Sequence, residues 1–243
     1  MVQYNPLQPL PTDEELPDSD GKPVDNELHV LIPALLRSIL ALLWVERTDW
    51  FFGANMGVYY DPKQPPLVPD AFLSLGVDRN RRAPQLRLSY VLWQENNIVP
   101  QWVLEIVSQT PGGEYDAKMA KYAELGVLYH LVYNPNYTRR DRHERFELYR
   151  LTDGAYERLP GCPVWIPELE LGIGYELGRF EGRTQEWLYW YDREGHRLAT
   201  PEEAAESQKR LTEQQQQRAE QERQRAERLA ARLRAMGIEP DEN

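Results

Sequence analysis

The apolar and polar positions divide the chain into three regimes: a proline-punctuated start, a middle of short apolar runs, and a charged end. In the middle, nearly every residue from Val30 to Val45 is apolar. This reads as one buried helix over roughly 25–47, with Asp25 or Asn26 as N-cap and Pro33 either kinking it or marking a later start. Runs of strand length follow near 55–61, 67–75 and 102–108, then a stripe of helical period over about 114–125 and a further strand at 128–133. Two hairpin signals come next. In FELYRLTDGAYERLP (146–160), Asp153-Gly154 separates two alternating runs, and WLYWYDREGHRL (187–198) turns at Arg193-Glu194-Gly195. Elements in this order make an α/β fold in which a mixed central sheet is flanked by helices.

The ends differ from this middle. Residues 1–24 place Pro6, Pro9, Pro11, Pro17 and Pro23 among acidic side chains and form an irregular arm, which leaves 25–200 as the folded domain. Residues 201–236 contain no glycine, and their one proline, Pro201, stands at the N1 position behind Thr200 as the cap. They form one long charged helix. A heptad seam through Thr212, Gln215, Ala219, Glu222, Ala226, Leu229, Leu233 and Met236 is apolar only in its last third. That makes it a weak coiled coil, or a solvated helix held by charge pairs four residues apart. Gly237 is a fitting C′ residue and Pro240 prevents continuation, so 237–243 is a tail.

One position breaks the pattern of the strands. In Trp102–Ser108, alternation sets Val103, Glu105 and Val107 on one face and Trp102, Leu104, Ile106 and Ser108 on the other. Glu105 therefore sits in a strand apolar on both faces. Such a carboxylate needs a cation, a metal or a proton, unless the strand lies at an edge with the head in water. Asp70 opens the run VPDAFLSLG, where Pro69-Asp70 also reads as ordinary turn chemistry. On the 114–125 helix, Tyr115, Met119, Tyr122 and Leu125 mark the apolar stripe. Lys118 falls about 45° from its centre and Lys121 about 105° away. Lys118 can lay its stem along the sheet and aim its head inward, or pair with Glu114 at the surface, while Lys121 reads as solvated. Two carboxylates and a lysine on adjacent elements are the parts of a divalent-metal phosphodiesterase site. The metal polarises the phosphate and activates a water, and the ammonium stabilises developing charge or positions the nucleophile.

These residues resemble the Uma-type restriction endonucleases within the PD-(D/E)XK nuclease superfamily, over roughly residues 12–200. The resemblance rests on Pro69-Asp70, on EIVS (105–108), and on Glu114, Lys118, Tyr122 and Gly126 at steps of four before LYHLVYNP (128–135). Glu114 stands where the family usually has Asp, and Val107 stands where the superfamily pattern has its lysine, so the matching lysine is Lys118 on the following helix. The resemblance implies a restriction-endonuclease-like fold and a Mg²⁺- or Mn²⁺-dependent DNA endonuclease. Asp70 and Glu105, with the Ile106 carbonyl, would hold the metal, Lys118 would assist the attacking water, and Glu27 is an auxiliary acidic candidate. A homodimer is the expected assembly. The rival reading is a nuclease-like fold without turnover, serving DNA binding or protein interaction through its C-terminal helix.

Composition limits these readings. With 243 residues, 41% of them hydrophobic, the chain can bury a full-sized core in one domain with an appendage. The single cysteine, Cys162, excludes an internal disulfide framework and fits a reducing cytoplasm, and the four histidines form no zinc spacing with it. The start of the chain carries no basic-then-apolar signal pattern, and Val30–Val45 falls short of the ~20 residues that span a bilayer. A net charge of −11 opposes DNA binding, because phosphate contacts dominate that affinity. Two basic runs offset it locally: Arg79, Arg81, Arg82 and Arg87, and Arg139, Arg140, Arg142, His143 and Arg145. Arg79, Arg81, Arg82, Arg139 and Arg140 are the candidate phosphate contacts. Both runs are also ordinary loop compositions.

Overall fold

The computed structural model describes residues 10–17, 26–110 and 112–236. The expectations for most of the arm, for an Asp25 cap and for Gly237, Pro240 and the tail lie outside them. Helix α1 (Leu28–Leu43) buries Leu31, Ile32, Leu35, Leu36, Ile39 and Leu40 along one stripe. Each such side chain contributes about 1.5–3 kcal/mol when taken from water. Asn26 Oδ1 accepts from the Leu28 N–H at 2.9 Å, so Asn26 closes the start of the helix. Pro33 lies inside α1. Having no N–H, it leaves the carbonyl of His29 without its helical donor, and Asn55 Nδ2 donates to that carbonyl instead at 3.1 Å. The proline thus ties the start of α1 to the end of the next strand.

The strands that follow are β1 (Trp50–Ala54), β2 (Val58–Tyr59), β3 (Ala71–Leu75), β4 (Tyr90–Val91) and β5 (Trp102–Ile106). Helix α2 (Ala117–Leu125) and β6 (Tyr129–Tyr133) come next, then the single turn α3 (Thr138–Asp141). Strands β7 (Phe146–Thr152), β8 (Ala155–Leu159), β9 (Val164–Ile166), β10 (Leu171–Phe180) and β11 (Arg183–Tyr191) complete the first unit. Six strands form the central sheet in the order β1-β3-β5-β6-β7-β8. Only β5 and β6 run parallel, joined through α2; the other neighbours are antiparallel. This is the mixed sheet flanked by helices that the apolar pattern requires.

Both faces of the sheet are covered. One buries Trp50, Phe52, Leu73, Trp102, Leu104 and Leu131 against α1 and against a second sheet ordered β11-β10-β9. The other buries Phe72, Val103 and Val127 together with Tyr122 of α2, Tyr90 and Val58. Helix α2 ends at Gly126, whose φ of 88° closes it in the left-handed region and releases the chain into β6. The Asp153-Gly154 hairpin stands as expected, both residues taking positive φ between β7 and β8.

Several boundaries depart from the sequence reading. Helix α1 stops at Leu43, and the first central strand is Trp50–Ala54 rather than a run near 55–61, where only Val58–Tyr59 pairs, in parallel with Tyr90–Val91. The apolar run continues to Val45, past the end of the helix, and the polar Glu46-Arg47-Thr48-Asp49 stretch separates it from the strand that opens at Trp50. Gly53 is strand because of a close approach: a Cβ there would lie 2.2 Å from the ring of Phe72, its cross-strand partner. The longest hairpin, β10 with β11, turns at Glu181-Gly182, and glycines at 172, 174 and 178 break the alternation that would have revealed it. The turn after Tyr191 is real, but its returning chain forms only the bridge Tyr191↔Arg197.

The chain divides between Leu198 and Ala199. The second unit is helix α4 (Pro201–Ala235), opened by a reciprocal capping box between Thr200 and Glu203 with Pro201 at its start. None of its residues is buried, and Leu229 and Met236 of the seam are 52% and 74% exposed. No helix among the described residues is long and apolar enough to cross a membrane.

Candidate active site

The central strand β5 is buried along its whole length, Glu105 included. The strand ladder pairs Ala71 with Leu104, so one step further sets Asp70 opposite Glu105 on the same face of the sheet. Asp70 Oδ2 accepts from the Ile106 N–H at 2.6 Å. The two carboxylates are therefore fixed by one pair of neighbouring strands, with the Ile106 carbonyl beside them.

Helix α2 supplies the countercharge. Lys118 Nζ lies 2.6 Å from Glu105 Oε2, and the Tyr122 hydroxyl donates to Glu105 Oε1 at 2.5 Å. One turn of helix separates the two donors, so both reach the same carboxylate. Burial pushes the Glu105 carboxyl up to about 7, Lys118 draws it down and Asp70 pushes it up again. On Lys118, burial favours the neutral amine but Glu105 outweighs it, and the value is raised, so the ammonium keeps its proton. Its side chain is 34% exposed, which opens this corner of the site to solvent. Lys121, one turn away on the other phase, is exposed.

The loop between β5 and α2 is held from two sides. Arg140 donates to the carbonyls of Gln109 and Ser108 at 2.5 and 3.2 Å, and the buried Glu114 accepts from the Gly112 N–H at 3.0 Å. Glu114 thus bonds the loop that leads into α2 rather than hydrogen-bonding Lys118 directly.

Two partners at the site carried no separate signal in the sequence reading. Tyr122 was read as part of the apolar stripe and of the Glu114, Lys118, Tyr122, Gly126 spacing but given no role at the site, although its position four residues after Lys118 puts it on the same face. His29, a buried residue of α1, places Nε2 at 2.9 Å from the Ile106 carbonyl and 3.8 Å from Asp70 Oδ2. A carbonyl only accepts, so Nε2 carries the proton, and Nδ1 is buried without a hydrogen-bond partner among the described residues. A polar residue in phase with Ile32 and Leu36 was the available clue.

The other sequence candidates lie elsewhere. Glu27 is exposed and pairs with Arg183 at 2.6 Å, with no contact to Asp70 or Glu105 among the described residues. Arg79 stacks over Trp50 at 3.8 Å. Arg81 and Arg87 both bind the buried Glu95, each at 2.8 Å, and Arg82 holds Asp13 and Glu14 of the N-terminal segment. This first basic run is internal scaffolding. In the second, Arg140 is occupied by the loop carbonyls and Asp141, while Arg139 is exposed.

Oxygen donors of two ionised carboxylates and a carbonyl suit a hard divalent ion such as Mg²⁺, which takes one or two carboxylates and fills its remaining positions with water or phosphate. Among the described residues no three His, Cys, Asp or Glu side chains form a metal-holding group. A cation at the two carboxylates would also relieve the repulsion that Asp70 exerts on Glu105.

A family model described as "Putative restriction endonuclease", Uma2, matches residues 3–178. No curated protein matches the chain. Among solved structures, the chain is similar to "a putative nuclease belonging to DUF820 from Anabaena variabilis" at 16% identity and a TM-score of 0.40, over 64% of this chain and 88% of that one. The family match spans well over half of the sequence, and the chain belongs to the Uma2 restriction endonuclease family.

Proposed function

We propose that this chain is a divalent-metal-dependent DNA endonuclease whose working groups are Asp70, Glu105, the Ile106 carbonyl and Lys118. The observation that carries the reading is the fully buried Glu105, opposite Asp70 and bonded to a lysine whose side chain is 34% exposed. A structural ion pair has no need of the second carboxylate. Asp70 raises the cost of charging Glu105, which is what a cation site requires and what stability alone disfavours.

Asp70, Glu105 and the Ile106 carbonyl would hold Mg²⁺ or Mn²⁺. When bound, the ion supplies Lewis acidity toward the phosphate and makes water acidic enough to attack. The residues of the chain do the rest. The Ile106 N–H keeps Asp70 turned toward its neighbour, and His29 fixes the Ile106 carbonyl from the opposite side of the sheet. Tyr122 holds one oxygen of Glu105, leaving each oxygen a further lone pair. Lys118 stays protonated at the solvent edge, where it can orient the attacking water or stabilise charge on the phosphate. We assign self-association to the Ala226, Leu229, Leu233 and Met236 seam, since cutting both strands calls for two copies of the site.

Asp70→Asn or Glu105→Gln should abolish Mg²⁺- or Mn²⁺-dependent plasmid nicking while circular dichroism stays unchanged. Cleavage surviving both substitutions moves the chemistry elsewhere. Lys118→Ala should slow cleavage by at least ~100-fold, the scale for losing a positioned catalytic group, and Lys121→Ala should change little. The reverse ranking in parallel rate measurements would reassign the lysine.

The Glu105 carboxyl also predicts a pH signature in metal-free protein. Its folded value of about 7 lies above the ordinary 4.5, so between these pH values the folded chain keeps a proton that the unfolded chain has released. Its contribution to stability therefore falls as pH rises through that window and is level above it. Glu105→Gln removes that fall, so the melting temperature of the variant relative to the parent should climb between pH 4.5 and 7. A difference independent of pH would contradict the burial cost assigned to this carboxylate. Ending the chain near Thr200 should leave a smaller species that still nicks DNA when DNA is supplied at high concentration. If sedimentation finds full-length and shortened chains monomeric alike, the seam does not pair.

A further inference from the structure

A chain of net charge −11 needs a concentrated cationic face to hold a polyanion, because neutralised phosphates supply most of the affinity. The first unit does not provide one through its first basic run, whose arginines bind Glu95, Asp13, Glu14 and the ring of Trp50. Helix α4 has a different distribution. Residues 218–236 contain six arginines against three glutamates.

Four of these arginines share a face. At about 100° per residue, Arg218, Arg225, Arg228 and Arg232 fall within an arc of about 80°, with Gln214 and Gln221 between them. Arg218, Arg225 and Arg232 stand one above another at intervals of about 10.5 Å, seven residues at 1.5 Å each. All four are exposed, and none has an ion pair among the described residues. The only acid three or four positions from any of them is Glu222. The pairs that α4 does form, Arg210–Glu206 and Arg223–Glu227, involve other arginines.

A helix built only for solvation would not look like this. Arg225 and Arg228, and Arg228 and Arg232, are like charges at spacings that destabilise an isolated helix by a few tenths of a kcal/mol each. The macrodipole accounts for cations in the last turn, Arg232 and Arg234, but not for Arg218 or Arg225 two and more turns earlier. Uncompensated like charges on one stripe are relieved by an external polyanion.

We propose that the Arg218, Arg225, Arg228 and Arg232 face of α4 is the phosphate-binding surface through which this chain holds DNA, independently of base sequence. The choice of DNA as the polyanion rests on the nuclease reading; the stripe itself does not. Its role is to hold the substrate backbone, with the Asp70 and Glu105 site acting on whatever bond reaches it.

The test is a titration of the full-length protein into a short fluorescent duplex, in EDTA so that nothing is cut, across a series of salt concentrations. R218Q/R225Q/R228Q/R232Q keeps helix propensity and should leave circular dichroism unchanged. It should weaken binding at low salt by about tenfold or more and reduce the slope of log affinity against log salt by about 3 to 4, for four lost phosphate contacts at about 0.9 each. An unchanged slope and affinity overturn the proposal. So does a parent protein that binds poly-glutamate through these arginines and ignores the duplex, which would mark the face as a site for an acidic protein helix. Duplex binding lost in the variant, with no cleavage by the parent in Mg²⁺ or Mn²⁺, would sink the nuclease reading and leave this surface standing.

Discussion

A carboxylate in the middle of a strand buried on both faces is the constraint around which the rest of this unit is arranged. Glu105 has no access to water, and removing a charge from water costs more than a single hydrogen bond returns. Two donors from α2 make it tolerable, and they reach it only because Lys118 and Tyr122 lie one turn apart over the end of β5. That placement depends in turn on the connection. Asp116 starts α2, Gly126 stops it in a conformation open to glycine, and Arg140 and Glu114 tie down the loop between. The β5-α2-β6 crossover, the only parallel pairing in the central sheet, is therefore the element on which the placement of these groups depends.

The distribution of positive charge follows a second logic. In the first unit arginine works as a packing and bonding residue: Arg87 is buried and holds Glu95 in a two-point contact, and Arg79 covers Trp50. Residues 10–17 are fastened to the same region through Arg82, through Trp93 donating to the Pro11 carbonyl and through Tyr59 donating to the Pro17 carbonyl. A loop dense in arginine reads as a phosphate site when composition is all that is visible. Here each of those guanidinium groups has an anion or a ring inside the protein, whereas α4 carries four arginines on one face with no ion pair among the described residues.

What was legible in the sequence follows from which signals are local. Asp153-Gly154 between alternating runs, Gly126 after an apolar stripe and Thr200-Pro201 ahead of a glycine-free stretch each specify a backbone conformation within a few residues, and each stands in the structure. The phase of Lys118 against Lys121 was legible for the same reason, since helical geometry fixes direction without tertiary information. The β10–β11 hairpin was not, because its glycines at 174 and 178 answer to Pro163 and Tyr189, contacts that no local pattern announces. His29 was missed on similar grounds. Its partner Ile106 is 77 residues away, and only the packing of α1 across the end of the sheet brings them together.

That last contact explains why the candidate site is supported from both faces of the sheet. Glu105, Lys118 and Tyr122 belong to the face covered by α2, whereas His29 arrives from α1 on the other and meets the Ile106 peptide at the strand end. The same peptide donates its N–H to Asp70. One peptide unit is thus gripped through its carbonyl by a residue from one layer while its N–H orients a carboxylate in the other. Residues held in this way have little freedom to relax when the charge beside them changes. The cost shows in the raised Glu105 carboxyl and in the Nδ1 of His29, which has no hydrogen-bond partner among the described residues. Cores do not keep such features for stability, since apolar residues of the same shape would serve it as well or better. Their concentration around one peptide, rather than across the sheet, marks where this fold departs from optimal packing.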